Sequence, residues 1–463
     1  MKINSKKLYN TLFNPSYIQL FFIVFPLVLE TPMLLPLLNS YLKIGLVWGA
    51  AYLAFDLFHE RRFLEDKHRR LLLLFVGFYT ITMIINIKNP NSRMNLIGYF
   101  YIVVQMLIIT IQDTDRQVAL RKLKFISKTI ITVTLVYSII GLILFIIQYH
   151  DILIYSNKRY VLGFYSNRLV GIYRGITSAT ISIGVMSAFT YMNIVYREDR
   201  KVSKYALVTL LVNFVHLSLS SSRGILYSLL AYVLVLFFLY AIYFFKEITI
   251  KGIVKSLVVS AVIAGLLSGA ISGTKKAMSY LPSWYAHNYV YVSQLDEETG
   301  EAPDIDEGPI DLHREIPEKY GALTGRPVIW KQGFEAIKKK PIFGYGAYSH
   351  ANMITLGFSS EVFSHYHSFY IHSMFSAGIL GSLPLFAFIV IAAIKVLKYL
   401  FDKNNLTDKD YLIIATLAAS YVFFVVVGFS DTTNMFINRF EEYYFWTILT
   451  IGLSFLKIKK LKN

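Results

Sequence analysis

Apolar runs long enough to cross a bilayer alternate with short polar links along almost the whole chain. A spanning helix needs about 20 mostly apolar residues. That pattern predicts spans near 17–29, 41–58, 71–87, 96–112, 129–148, 177–196, 205–219, 224–245, 256–272, 368–394, 411–429 and 442–457. The first run is short, and Pro26 and Pro32 leave its end open. The expected fold is an all-α polytopic membrane protein of about 12 transmembrane helices. Its expected parts are 1–272 with the first nine spans, a long loop over 273–367, and 368–463 with the last three.

Composition agrees with the pattern. Hydrophobic residues make up 55% of the chain and charged residues 16%, against about 25% charged in a soluble domain. Cysteine is absent, which excludes disulfides, thiolate catalysis and Cys-ligated metals. Lys2–Lys7 leads into long apolar spans without a small-residue cleavage site, so no cleavable signal peptide is expected. The net charge of +17 is dispersed among the links, with no basic face bearing stacking aromatics, so nucleic acid is not an expected partner.

That dispersed charge carries topology instead. With the N-terminus cytoplasmic, the inner links hold 28 of the 46 Lys and Arg, and nine of the 18 outer ones lie in 273–367. Long loops translocate largely regardless of charge, so the comparison that matters is 28 against nine. Both termini are therefore expected in the cytoplasm, which also supports an even number of spans.

The long outer segment divides in two. Residues 296–307 are acidic and turn-rich; they read as a solvated loop tip, or as a calcium loop whose spacing does not match an EF-hand. Residues 327–340 read as an amphipathic helix on the outer membrane surface. Pro327 suits its first turn, Trp330, Phe334 and Ile337 form its apolar face, and Pro341 ends it.

Four motifs carry chemistry, and the topology puts all of them outside. Ser220–Gly224 sits where two spans meet; Arg223 reads either as a snorkelling cation or as an anion ligand. Gly325–Trp330 leads the surface helix. An arginine at a helix N-terminus opposes the dipole, which Arg326 would tolerate better with an anion beside it. Gly344-Tyr345-Gly346 is followed by His365-Tyr366-His367-Ser368 and then Gly378 and Gly381. Either histidine could act as general base or sit as an interfacial side chain; His-x-His can also bind metal, but no third ligand stands at a persuasive spacing. Asn167–Gly175 brings Arg168 and Arg174 to the same side. Arginine offers a planar, permanently charged fork for phosphate oxygens, so the set suits a lipid-linked diphosphate with its tail between helices.

Through Asn167–Gly175, Ser221–Gly224, Gly325–Trp330 and Pro341–Gly381, the chain resembles the O-antigen ligase and Wzy-type polymerase superfamily of bacterial glycan assembly. The last stretch is similar to the family pattern Pro-x-x-Gly-x-Gly, a gap, a His-Asn or similar pair, and Gly-x-x-Gly. The first half of the chain matches in hydropathy only.

The resemblance implies a GT-C-like inverting glycosyltransferase whose donor is an oligosaccharide on undecaprenyl diphosphate. Carried over by position, Arg223 and Arg326 would contact the diphosphate and His367 would sit at the reaction centre. Arg168, Arg174 and His365 would assist at the diphosphate. Ser368 stands where the family commonly has Asn, and His365 leaves the histidine assignment ambiguous. No cofactor and no metal are implied, because arginines would neutralise the leaving group.

A Lys-, Ile- and Asn-rich composition suggests a low-GC genome, plausibly Gram-positive, where no lipid A core awaits a ligase. The preferred reading is a capsule, exopolysaccharide or O-antigen repeat-unit polymerase in the bacterial inner membrane, with an extracytoplasmic active site. The alternatives are a ligase and a polysaccharide flippase or transporter. Expected partners are the lipid-linked oligosaccharide, membrane lipid, a chain-length regulator and a flippase.

The absence of cysteine makes the topology directly testable. Glu301→Cys should react with an impermeant maleimide in intact cells, and Lys201→Cys only after the membrane is opened. The reverse pattern would invert the orientation.

Overall fold

The computed structural model describes residues 12–62, 69–89, 91–155, 158–174, 177–220, 222–286, 308–312, 325–349, 365–436 and 439–460. The acidic stretch 296–307 lies outside them. Its helices are α1 (Pro15–Val28), α2 (Leu35–Phe55), α3 (Arg69–Ile85), α4 (Ser92–Ile109), α5 (Arg116–Ile146), α6 (Thr177–Asp199), α7 (Lys204–Ser220), α8 (Arg223–Phe245) and α9 (Ile250–Met278). The short α10 (Leu281–Tyr285) follows, then α11 (Arg326–Lys339), α12 (Phe369–Leu400), α13 (Tyr411–Ser430) and α14 (Phe440–Lys460). Each of the twelve apolar runs read from the sequence falls on one of these helices. Seven of them, α4, α5, α6, α8, α9, α12 and α13, are long and apolar enough to cross a membrane.

Helix α14 is the axis of the bundle. Its residues from Phe440 to Phe455 are buried, and it packs against α1, α4, α5, α6, α12 and α13. Helix α9 lies at the edge against α7 and α8 and exposes Val254, Val258, Val262 and Leu266. An apolar face of that extent is uncommon on a soluble monomer and normal against lipid.

At the expected cytoplasmic end, Asp410 holds two arginines. Its carboxylate accepts from Arg116 Nε at 2.5 Å and from Arg197 Nε at 2.7 Å, tying together the ends of α5, α6 and α13. Nearby Lys122 Nζ reaches Asp113 at 2.6 Å and Gln19 Oε1 at 2.7 Å. These are satisfied charge networks, as burial requires.

Segment 149–176, a polar stretch with four basic residues between two apolar runs, carries a three-stranded antiparallel sheet. Strands β1 (His150–Tyr155), β2 (Lys158–Tyr165) and β3 (Arg168–Gly171) pair in the order β1-β2-β3. Phe164 and Leu169 pack with Phe145 of α5 and Leu219 of α7, so the sheet is fastened onto those two helices.

The glycine-rich stretch after α11 is explained by a break in α12. Gly378 has φ +68 and ψ −179, a conformation essentially reserved for glycine. The break frees backbone groups on both of its sides, and the segment Pro341–Gly346 takes them up. Tyr345 N–H donates to Phe375 O at 2.9 Å and Gly346 N–H to Ser376 O at 2.9 Å, while Ile379 N–H donates to Pro341 O at 2.8 Å. The two chains run so close that a Cβ on Gly378 would lie 2.1 Å from Ile342 O, and one on Gly344 2.4 Å from Phe375 O. On its other side the segment is held by α3 and α4: Asn86 Nδ2 donates to Gly344 O at 3.0 Å, and Asn95 Oδ1 accepts from Tyr348 N–H at 2.7 Å.

Gly378→Ala should therefore destabilise strongly. The strained backbone alone costs about 1–3 kcal/mol, and the overlap with Ile342 O adds to it. Thermal unfolding in detergent should show a large drop for Gly378→Ala and little change for Gly273→Ala, where a Cβ meets nothing.

Candidate active site

The break in α12 and the docking of α11 fix the position of one polar cluster. Helix α11 buries Ile329, Gly333, Ala336 and Ile337, with Trp330 packed alongside, in a small core with Tyr345, Tyr366, Ile371 and Phe375. Of the three residues expected on its apolar face, Trp330 and Ile337 join this core against α12, while Phe334 is exposed. Trp330 Nε1 donates to His367 O at 3.4 Å, so the same helix steadies the histidine loop.

His367 has φ +46, unfavourable for a non-glycine residue. The next residue begins α12: Ser368 is its N-cap, and its Oγ accepts from Ile371 N–H at 3.5 Å and donates to Gly428 O at 3.2 Å. Serine is among the favoured N-caps, and Ser368 fills that role here. Phe369 N–H donates to Asp431 O at 2.9 Å and joins the start of α12 to the end of α13.

His365, His367 and Asp431 bring ligand-type atoms within 4.8 Å of one another. The two imidazoles meet edge to face at 4.1 Å, and His365 Nδ1 accepts from the His367 N–H at 3.1 Å. That bond commits one His365 nitrogen to the loop, whereas His367 Nδ1 is buried with no hydrogen-bond partner among the described residues. Burial holds His367 below its ordinary pKa; Asp431 pulls it up, and Arg326 and Arg439 push it down. Neutral imidazole is the form a general base requires.

Arg326 opens α11 and donates through Nε to Ser430 O at 2.9 Å. The dipole argument therefore has a local answer as well. Arg326 opposes the dipole of its own helix but caps the C-terminal end of α13, where a cation is favoured. Arg223 reaches the same neighbourhood through its backbone. A Cβ on Gly224 would lie 2.8 Å from Ser430 Oγ. Arg223 lines a cavity of about 320 Å³ with Ser178, Ser182, Ser218, Ser272 and Lys275, and its Nη2 is buried without a hydrogen-bond partner among the described residues.

The other predicted arginines are placed elsewhere. Arg168 is on β3 opposite Tyr165. Arg174, beyond the sheet, pairs with Glu30 at 3.5 Å. Sequence reasoning thus singled out His367, His365, Arg326 and Arg223, left Asp431 and Arg439 without a role, and missed Ser430, Glu30 and Glu441. The missed acids had a signal: each stands at the end of an apolar run, where ionisable residues are scarce and default to functional candidates.

Fold and cluster together define an integral membrane protein that gathers a histidine, a carboxylate and arginines where α11, α12 and α13 meet. Residues 205–386 of this chain match the family model of the O-antigen ligases. The match runs from α7 into α12 and takes in Arg223, Arg326, His365, His367, Gly378 and Gly381. The resemblance read from the motifs holds over that segment. No curated protein matches the chain.

The electrostatics make a direct prediction. Titration of His367 by ¹⁵N NMR in nanodiscs should give a pKa below the usual 6.5 or so for histidine. Asp431→Asn removes the one upward influence and should lower it further. An upward shift would mean that Asp431 does not face the imidazole.

Proposed function

We propose that the protein is a membrane glycosyltransferase that polymerises undecaprenyl-diphosphate-linked repeat units into a surface polysaccharide at the extracytoplasmic face of the bacterial cell membrane. In this reading all twelve apolar helices are crossings, both termini are cytoplasmic, and the parts 1–272, 273–367 and 368–463 keep the roles expected from the sequence.

The observation that carries the proposal is an apolar cavity that begins at Phe369 and Tyr370, directly after His367 and Ser368. The cavity measures about 790 Å³ and lies among α8, α12, α13 and α14. Phe369 and Tyr370, which directly follow His367 and Ser368, line one end, and Leu397 and Phe401 line the other. It follows nearly the whole length of α12, as a long isoprenoid chain would require. Asn434 also lines it, three residues from Asp431.

Arg326 and Arg223 neutralise the diphosphate as the bond to the anomeric carbon breaks, an electrostatic stabilisation of developing charge. His367 takes the proton of the attacking hydroxyl and hands it to solvent. Asp431 orients the imidazole and stabilises its charged form. Arg168, Arg174 and His365 assist at the diphosphate or hold its surroundings. The reaction inverts the anomeric configuration and needs no metal.

The ligase reading, in which the glycan moves to a different acceptor, is favoured by one observation, the description of the matching family. Both readings use the same donor chemistry and differ in the acceptor.

Purified protein supplied with its native lipid-diphosphate repeat unit should produce a ladder of products. His367→Ala should reduce the rate about 10²–10⁴-fold, the usual contribution of general base catalysis. Arg326→Ala should reduce it about 10²–10³-fold, with partial recovery in Arg326→Lys. EDTA should leave the ladder unchanged. Transfer of one finished chain to a separate acceptor, without a ladder, would select the ligase.

A further inference from the structure

A second cluster of buried polar groups lies beside the first. Glu30, just beyond α1, and Glu441, in the first turn of α14, are both fully buried. Glu30 Oε1 faces Arg174 Nη2 and Phe440 N, each at 3.5 Å. Glu441 Oε1 accepts from Thr180 Oγ1 at 2.9 Å. Each carboxylate has a second oxygen, Oε2, with no hydrogen-bond partner among the described residues. The two acids are close enough to act on each other's charge, and Arg439 acts on Glu441 as well as on His367.

Two further groups share this condition. Thr31, next to Glu30, is about nineteen-twentieths buried, and neither its hydroxyl nor Nη1 of Arg439 has a hydrogen-bond partner among the described residues. An orphaned buried acceptor or donor loses its hydration without return, and several in one place call for a ligand that satisfies all of them. Here the set mixes two carboxylate acceptors, a guanidinium donor and a hydroxyl that can do either. A pure anion would be repelled by the acids, and a simple cation by Arg174 and Arg439. Sugar hydroxyls, each of which donates and accepts, match the set.

We propose that Glu30, Thr31, Glu441 and Arg439 form the acceptor-sugar subsite, holding the hydroxyl-bearing sugar whose attacking oxygen is presented to His367. Arg439, which acts on both Glu441 and His367, joins the two clusters. The inference rests on the glycosyl-transfer reading and adds to it the residues that select the acceptor. Glu30 and Glu441 bind and orient; the proton still goes to His367.

The test uses full-length protein in nanodiscs, the native lipid-diphosphate repeat unit as donor, and the repeat-unit oligosaccharide, freed from its lipid and converted to an octyl glycoside, as acceptor. Glu441→Gln and Glu30→Gln should raise the acceptor KM about tenfold or more, as expected for losing hydrogen bonds to a charged group. The donor KM should stay unchanged and kcat should fall less, with partial rescue in Glu441→Asp. Calorimetric binding of the glycoside, which needs no turnover, should weaken in parallel.

If the wild type transfers but both variants keep the wild-type acceptor KM and glycoside affinity, the subsite is overturned while the enzyme reading stands. A fall in thermal stability with unchanged glycoside binding also overturns it and makes the cluster purely structural. Glutamate-dependent glycoside binding by a wild type that transfers nothing would support a sugar site and sink the transferase instead.

Discussion

The constraint on which the rest depends is the exchange of backbone hydrogen bonds between Pro341–Gly346 and the break in α12 at Gly378. A helix interrupted inside a membrane protein leaves amide and carbonyl groups that lipid cannot satisfy. This chain answers them with another piece of itself. That answer requires glycine on both sides, since each backbone occupies the space where the other's Cβ would go. Once the segment is seated, α11 can lie only where it does, and Arg326, Trp330 and the histidine loop follow. The first half of the molecule enters here too, because Asn86, Asn91 and Asn95 form part of the cradle.

The two ends of the bundle treat charge differently. At the end with Asp410, acids and bases are matched and close, as in a structural clamp. At the other end, atoms of His367, Arg223, Arg439, Glu30 and Glu441 are buried without hydrogen-bond partners among the described residues. A protein that needed only to hold its helices together would gain by satisfying or removing them. Their gathering beside the unfavourable backbone of His367 is what the proposed site there would account for.

Much of this was legible in the sequence. The apolar runs located the helices because 20-residue periodless hydrophobicity has few other uses. Pro327 and Pro341 bracketed α11 to within a residue or two, and the arginine and histidine motifs lay in the right order. The sheet over 150–171 was not legible, since its strands are short and half exposed, and their alternation is weak beside the neighbouring spans. On α11 Trp330 and Ile337 were placed rightly and Phe334 was not, because Phe334 counts as apolar wherever it points, whereas Gly333 and Ala336 are the residues buried there. Glu30 and Glu441 come together across 411 positions of chain, a pairing that no local pattern encodes.

The spacing of His365, His367 and Asp431 poses a last question, because three such atoms within 4.8 Å could bracket a divalent ion. The surrounding charges decide between occupants. Arg326 and Arg439 both act on His367, and a divalent cation would add a third positive centre against the single negative charge of Asp431. In the proposed reaction the balance is the reverse: the diphosphate would face Arg326 and Arg223, and Asp431 would compensate the imidazolium formed as His367 takes a proton. Burial, Arg326 and Arg439 favour the neutral imidazole at rest, and Asp431 favours its charged form.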